Sequence, residues 1–250
     1  TYPVCFKAHD IVVHDLDGDG DLDVATSCHS TSIVSVLPGN GDGTFAAAID
    51  LDGGSRPHSL AIGDFNQDAT PDIAVASYGE QAVSILYGMG GLAYASPVAI
   101  PVGSDPHSIR MGDFNGDGLD DLAVANDKDN SVGILLGGAG GAFAAEVSYG
   151  VGLVPKGVAI GDVDNDGNLD VVAGNTGGNY PSCCVAGEGD NISVLYGAGD
   201  GTFSAAVEFE TGRTIFAAVV ADFNGDGLND IATANYDDQS VSILMGVAGG

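Results

Sequence analysis

The chain has 250 residues, 40 of them Gly, and a formal net charge of −29, because 35 Asp and Glu face only 6 Lys and Arg. So acidic a surface argues against binding to nucleic acid or to an anionic membrane. The hydrophobic content of 44% argues against a disordered acidic chain, and no apolar run approaches the ~20 residues that span a bilayer.

The predicted elements recur along the chain with a fixed period. Each unit begins with an apolar run, continues through an Asp-rich loop, and then has a second and a third apolar run. A Gly-rich turn such as Gly39–Phe45 leads to a fourth run. Short β-branched runs between Gly, Asn and Asp are typical of strands. The acidic loops begin at Asp15, Asp64, Asp113, Asp162 and Asp222, at intervals of 49, 49, 49 and 60 residues.

Four strands in about 50 residues, repeated along the chain, are typical of a β-propeller blade. We therefore expect an all-β fold, with residues 1–250 forming one five-bladed propeller of four-stranded blades. The last unit stops after its third strand, and Thr1–Phe6 matches the missing fourth. This match predicts that the N-terminal strand completes the last blade and closes the ring. The alternative is donation of this strand to a neighbouring chain, which would give head-to-tail filaments.

The loops have the composition of hard-cation sites. Loop positions 1, 3, 5 and 9 carry oxygen side chains, position 7 can offer a backbone carbonyl, and position 6 is usually Gly, which allows a sharp bend. An all-oxygen ligand set favours Ca²⁺, and we expect up to five ions. The loop at residues 64–72 should bind most weakly, because Ala69 replaces Gly and Pro71 stiffens it. The predicted ligand positions are Asp15, Asp17, Asp19, Asp21 and Asp23; Asp64, Asn66, Asp68, Thr70 and Asp72; Asp113, Asn115, Asp117, Leu119 and Asp121; Asp162, Asp164, Asp166, Asn168 and Asp170; and Asp222, Asn224, Asp226, Leu228 and Asp230.

These loops, with the phrase Gly-Asp-Phe-Asn-Gly-Asp-Gly at Gly112–Gly118 and the Leu-Ala-Val-Ala that follows, resemble FG-GAP/VCBS repeats. The resemblance covers essentially the whole chain. It implies calcium-binding blades like those of integrin α-subunit propellers and secreted microbial propellers. It also implies that ligands bind the face opposite the calcium loops. Familiar members usually have seven blades, whereas this chain has five units.

On that opposite face we expect a cluster of scarce cations and imidazoles. His9, His58, His107 and Lys156 each lie six residues before a loop, and Arg56, Arg213, Lys7 and Lys128 lie in connections of the same face. Such a rim could hold an acidic sugar, a carboxylate or a transition metal. The alternative is that the histidines pack between blades and hydrogen-bond to a backbone carbonyl.

Four cysteines fit an oxidised, extracellular chain. Three pairings are open, and we favour Cys5–Cys28, since the N-terminal strand leads directly into the first blade. That pairing leaves Cys183 and Cys184 as a vicinal pair within the insertion Asn175–Asn191, on the presumed ligand face. Asn191 begins a glycosylation sequon, which matters only in a source that glycosylates secreted proteins.

The sequence has no nucleophile elbow, phosphate-binding Gly loop or dinucleotide fingerprint. We therefore expect no catalytic residues and a secreted or cell-surface recognition and adhesion module for a glycan or matrix protein. The alternative is a structural subunit of a filament or surface layer. A polysaccharide-active enzyme is the third reading, because paired carboxylates are plentiful.

Overall fold

A computed structural model describes residues 1–177 and 191–247, which fold mainly into antiparallel strands. Four of the repeats form four-stranded sheets and the last forms a three-stranded sheet. The first sheet contains β1 (Ala8–His14), β2 (Asp23–Cys28), β3 (Ile33–Leu37) and β4 (Ile49–Asp52), and the second contains β5 (Pro57–Gly63), β6 (Asp72–Ser77), β7 (Ala82–Leu86) and β8 (Val98–Pro101). The third contains β9 (Pro106–Gly112), β10 (Asp121–Asn126), β11 (Ser131–Leu135) and β14 (Val147–Gly150). Between β11 and β14 in the chain, β12 (Gly137–Gly138) and β13 (Ala142–Phe143) form a small two-stranded ribbon around a 3-10 turn at Ala139–Gly141. The fourth contains β15 (Pro155–Gly161), β16 (Asp170–Asn175), β17 (Asn191–Leu195) and β18 (Val207–Glu210), and the fifth contains β19 (Ile215–Ala221), β20 (Asp230–Asn235) and β21 (Ser240–Leu244).

The sheets stack face to face, and the hydrophobic core lies between consecutive sheets. One apolar cluster joins each neighbouring pair, from the first and second sheets to the fourth and fifth. The first strands β1, β5, β9, β15 and β19 pack side by side in that order. This arrangement places all the acidic loops at one end of the first strands and the strand entries at the other. The all-β, propeller-like repeat predicted from the sequence is confirmed.

The row of sheets does not close between the fifth and the first. Residues at equivalent repeat positions are buried inside the row and exposed at its two ends. Leu60 in β5 is 1% exposed, whereas its counterpart Ile11 in β1 is 65% exposed. Likewise, Val83 in β7 is fully buried, whereas its counterpart Val241 in β21 is 65% exposed. Among the described residues, β19 and β1 make no extensive contact.

The N-terminal segment lies on the first sheet. The Tyr2 ring packs edge-on against Phe45 with centroids 5.4 Å apart, and the Phe45 N–H donates to the Tyr2 Oη at 3.1 Å. Cys5 forms the predicted disulfide with Cys28, with their Cα atoms 5.9 Å apart. The prediction that Thr1–Phe6 completes the last sheet is therefore wrong, because these contacts hold the segment on the first sheet and β21 is left as an edge strand.

Two of the sequence-based predictions lie outside the described residues. They are the pair Cys183 and Cys184 and most of the insertion that contains them. Within the described residues, no helix has the length and apolar character needed to cross a membrane.

Candidate functional site

The acidic loops fold around their own carboxylates. In the first loop, the Asp15 carboxylate accepts hydrogen bonds from the Gly18 and Gly20 N–H groups at 2.8 and 3.0 Å. The position-3 and position-5 side chains then accept from the N–H two residues further on, as Asp17 does from Asp19. Each loop thus curls with its side-chain oxygens gathered on one side. A loop already curled in this way costs less conformational entropy to fix around a cation.

Two of the loops bring three carboxylates within metal-binding distance. Oxygens of Asp15, Asp17 and Asp19 lie within 4.8 Å of one another. The same holds for Asp162, Asp164 and Asp166. Burial, with the neighbouring carboxylates adding to it, raises the pKa of Asp17 and of Asp164. An all-carboxylate group of this kind suits a hard divalent cation.

The second loop is the strained one. Loop positions 4 and 6 have positive φ in every repeat, and in the second loop they are Gln67 and Ala69, at +62° and +65°. A left-handed conformation costs an L-residue roughly 1–2 kcal/mol. The loop is hydrogen-bonded like the others, with the Asp64 carboxylate accepting from the Ala69 N–H at 2.9 Å.

The position-9 aspartates have a structural role that sequence reasoning missed, since it treated them only as cation ligands. Each is buried and each of its two oxygens accepts one backbone N–H at 2.7–2.9 Å. Asp121, for example, accepts from Phe114 in its own loop and from Gly137 at the end of the third strand. This set is Asp23, Asp72, Asp121, Asp170 and Asp230. The sequence signal is the Gly that follows each third strand: a Cβ at Gly137 would meet the Asp120 carbonyl oxygen at 2.4 Å.

At the opposite end, the second residue of each first strand points to a shared axis. These residues are His9, His58, His107, Lys156 and Phe216. The His9 and His58 ring centroids are 3.7 Å apart and those of His58 and His107 are 3.8 Å apart. The His58 Nδ1–H donates to the His107 carbonyl at 3.1 Å, and the His107 Nδ1–H donates to the Lys156 carbonyl at 2.9 Å. The interpretation that these histidines pack between repeats and bond to a carbonyl is thus confirmed for His58 and His107.

These side chains surround a cavity of about 430 Å³, which we call the axial cavity. Three further residues line it: His29, Arg56 and Tyr78. The Arg56 guanidinium lies 4.7 Å from the Tyr78 ring centroid and donates to the His29 Nε2 at 3.0 Å. A second cavity of about 270 Å³ includes the same axial residues and adds Arg110.

Sequence reasoning missed Tyr78 as a lining residue and gave His29 no role. Both lie fourteen residues after the first Asp of a loop, in the connection between second and third strands. Asp127 has that position in the third repeat, and it forms an ion pair with Lys156. Because the residue type changes from one repeat to the next, the position does not stand out as a motif.

The expected basic rim is largely neutralised in the structure. Lys128 pairs with Asp105 at 2.6 Å, Lys156 pairs with Asp127, and Arg213 pairs with Asp238 at 2.7 Å. Arg213 is also not among the residues that line the axial cavity. Arg56 is an exposed cation that lines the axial cavity, and Arg110 is a second exposed cation, beside the adjoining cavity.

Three imidazoles of the axial cavity, those of His29, His58 and His107, have lowered pKa values and are neutral at pH 7. Burial, together with His9, His29 and Lys156 nearby, lowers the pKa of His58 to about 3. Burial likewise lowers the pKa of His29, with Arg56 adding to the effect, and holds the pKa of His107 well below its usual range. Neutral imidazoles can both donate and accept hydrogen bonds.

The repeats of this chain match a family of known proteins. A family model described as the FG-GAP-like repeat matches residues 15–75, 64–124, 113–173 and 181–233. The chain belongs to the FG-GAP-like repeat family. The first three matches each begin at the first Asp of an acidic loop and end within the second strand of the next repeat.

Solved structures share the fold of this FG-GAP chain at low identity, and no curated protein matches it. A protein of unknown function from Desulfotomaculum acetoxidans is 14% identical with a TM-score of 0.62, over 97% of this chain and 71% of that one. A putative 6-phosphogluconolactonase from Bacteroides uniformis is 15% identical with a TM-score of 0.60, over 95% and 71%. An Agrocybe aegerita lectin that recognises terminal N-acetylglucosamine is 20% identical, with a TM-score of 0.49, over 96% and 81%. The first two likenesses show the fold alone.

The lowered histidine pKa values predict that acid destabilises this FG-GAP chain. The folded-state pKa of His58, about 3, lies below its ordinary value of 6.5. The neutral imidazole therefore contributes to the free energy of unfolding above pH 6.5, and this contribution is lost as pH falls toward 3. Between pH 7 and pH 4 the loss is on the order of 2–3 kcal/mol. We expect His58→Gln to lose less stability over this range than the wild type does, measured by urea denaturation. His14→Gln, at an exposed histidine outside the axial cavity, is the control. Equal acid losses in His58→Gln and the wild type would contradict the prediction.

Proposed function

We propose that this chain is an extracellular recognition module that binds a glycan in the axial cavity. The observation that supports the proposal best is the composition of that cavity. Neutral imidazoles, a guanidinium and a phenol lie around about 430 Å³ of space at the entry to the first strands. A concave site with a few convergent polar groups and aromatic faces is the usual form of a small-ligand site.

The chemistry of the lining favours a sugar with an acidic group. Sugar hydroxyls both donate and accept, as neutral imidazoles do, and the rings of Tyr78 and Phe216 offer apolar faces. Arg56 is exposed and carries the charge that would bind a carboxylate in two parallel hydrogen bonds. The disulfide between Cys5 and Cys28 fits an oxidising compartment.

Substitution of Arg56 tests this function. We expect Arg56→Ala to weaken binding of an acidic oligosaccharide at least ~10-fold, since a charged hydrogen bond in a binding site contributes about 1.5–3 kcal/mol. Binding would be measured by calorimetry, with ligands chosen from a glycan array. The control is Arg213→Ala, which removes a cation of the same face that does not line the axial cavity. Equal affinities of the wild type and Arg56→Ala, or a larger loss with Arg213→Ala, would contradict this site.

The histidines and Lys156 are poorer choices for that test. His107 holds the next sheet through its Nδ1–H, and the half-buried Lys156 forms an ion pair with Asp127. Replacing either removes contacts between sheets as well as any ligand contact. Their substitution would change stability and binding together.

The scaffold that we propose is a calcium-binding, propeller-like row of five blades, with one Ca²⁺ in each acidic loop. The support is the repeated curl of the loops and the two carboxylate groups within 4.8 Å. The five position-9 aspartates already accept backbone N–H groups, and carboxylate oxygens have further lone pairs for an ion. The residues at positions 1, 3 and 5 would supply the remaining side-chain ligands.

A further inference from the structure

The cavity of about 270 Å³ beside the axial cavity lies deeper along the first strands, and we call it the inner cavity. It shares the five axial residues with the axial cavity. The residues that it adds lie one or three positions further along the same strands, so the inner cavity continues from the axial cavity toward the acidic loops. They are Asp10, Ser59, Ser108, Arg110 and Ala217.

Arg110 is unusual for its position in the repeat. Its counterparts in the first, second and fourth sheets are Val12, Ala61 and Ala159, which pack into the apolar clusters between sheets. In β9 the arginine stands at this position and is exposed. A small apolar side chain is therefore sufficient for packing here, and packing alone gives no reason for an arginine.

The Arg110 guanidinium has no carboxylate partner among the described residues. The ion pairs in that part of the chain are made by Lys128, Lys156 and Arg213. One Nη1–H of Arg110 donates to the Ile109 carbonyl at 2.7 Å, which leaves the other guanidinium donors for a ligand. Because the chain has 35 Asp and Glu against 6 Lys and Arg, partners are abundant, and an exposed arginine that has none is informative.

The carboxylate that lines the inner cavity, that of Asp10, already has its own donors. Its Oδ2 accepts from the Ser59 Oγ–H at 2.7 Å and from the Leu60 N–H at 2.9 Å. Its Oδ1 accepts from the Ile11 N–H at 2.9 Å. These bonds link the first strand of the first sheet to that of the second, so Asp10 has a structural role that does not involve Arg110.

Ser108 supplies a hydroxyl beside Arg110. The two residues lie two positions apart on β9, so their side chains share a face and their Cα atoms are about 7 Å apart. Ser108 is 6% exposed, and its Oγ accepts from the Val158 N–H at 3.2 Å. Among the described residues, no acceptor receives the Ser108 O–H, whereas the Ser59 O–H is taken by Asp10. The inner cavity therefore has a guanidinium and a hydroxyl that can both donate to a ligand.

We propose that the inner cavity is an oxyanion site, in which Arg110 binds two oxygens of a sulfate or phosphate group and the Ser108 O–H donates to a third. A guanidinium presents two parallel N–H groups that match two such oxygens. A third donor on the same face favours a tetrahedral group over a carboxylate, which has only two oxygens. The group can be a free ion or can be carried by a ligand in the axial cavity, because the axial residues border both cavities. The site does not depend on the glycan of the proposed function.

Titration with inorganic sulfate at constant ionic strength tests the site. The readout is the NMR spectrum of the ¹⁵N-labelled full chain in millimolar calcium. We expect the backbone amide signals of residues 108–110 and the Arg110 Nε–H signal to shift saturably in the millimolar range of sulfate. Arg110→Ala should weaken the binding seen at residues 108 and 109 at least about tenfold, because it removes the charged donors. The variant should fold, since Ala stands at the same position in the second and fourth sheets.

A matched control and a second probe sharpen the experiment. Arg213→Ala removes a cation of the same face that pairs with Asp238 and does not line the inner cavity, so it should leave the sulfate affinity unchanged. Galactose 6-sulfate, with galactose as the neutral control, shows which source carries the oxyanion. Tighter binding of galactose 6-sulfate than of inorganic sulfate would support a sulfated ligand, and equal or weaker binding would support a free ion.

Three results would overturn the proposal. They are amide signals of residues 108–110 that do not move saturably with sulfate, equal sulfate affinities of the wild type and Arg110→Ala, and a large loss of stability to urea in Arg110→Ala, which would give the arginine a structural role instead. Arg56→Ala should leave sulfate binding at residues 108–110 unchanged. This inference and the proposed function therefore fail separately.

Discussion

Chelation of calcium is expected to lower the Tm of the chain by at least ~10 °C. An ion that binds only the folded state stabilises it by about 2.7 kcal/mol at a hundred times its Kd. Two such ions would contribute about 5 kcal/mol, and each kcal/mol shifts the Tm of a chain of this size by about 2–4 °C. Without an ion, the three carboxylates of each close group, such as Asp162, Asp164 and Asp166, repel one another within 4.8 Å. The measurement is calorimetry in millimolar calcium and in EDTA.

Two variants show whether the chelator acts through the loops. Asp166→Ala removes a carboxylate from a close group and should reduce the difference between the two melts. Asp200→Ala removes an exposed carboxylate of the Gly-rich turn before Phe203, so the difference should remain that of the wild type. If EDTA leaves the Tm of the wild type unchanged, the assignment of calcium to these loops is contradicted.

The second large effect is expected at the position-9 aspartates. Asp121→Ala would leave the N–H groups of Phe114 and Gly137 without their acceptor in a buried site. Each such group costs about 1–3 kcal/mol, so we expect a loss of about 2–6 kcal/mol in the free energy of unfolding. Urea denaturation of the variant and the wild type measures it.

The same experiment in EDTA separates the structural role from a ligand role. If Asp121 acts by accepting the backbone N–H groups of Phe114 and Gly137, the loss persists when calcium is removed. A loss that disappears in EDTA would mean that the residue acts only as a calcium ligand. Asp120→Ala is the neighbouring control, since its half-buried carboxylate accepts one hydrogen bond among the described residues, from the Asp64 N–H at 3.1 Å.

The repeat and its strands could be predicted from the sequence because they depend on local pattern. Apolar runs such as Ile73–Val75, between Asp-rich loops and Gly-rich turns, specify a strand without knowledge of distant residues. Closure of the ring could not be predicted in the same way. The match of Thr1–Phe6 to a fourth strand is real, but its place is decided by long-range contacts with Phe45 and Cys28.

The residues of the candidate sites differ in the same way: some could be predicted from a shared repeat position, and others depend on how the repeats pack. His9, His58 and His107 share one repeat position, so the sequence could predict that they meet. Tyr78 and His29 also share a position, but different residue types hide it. The ion pair of Lys156 with Asp127 joins two repeats and follows only from their packing. The burial of Asp121 likewise could not be predicted, because a buried aspartate and an exposed aspartate that binds a cation look the same in a sequence.

Counting bound calcium tests the account most directly. Native mass spectrometry of the chain, with calcium added stepwise after EDTA, reports the number of ions on each molecule. The account predicts one ion for each acidic loop at saturation, with the loop at residues 64–72 the last to fill, because Gln67 and Ala69 take left-handed conformations there. A chain that folds and remains free of calcium at millimolar concentration would contradict it.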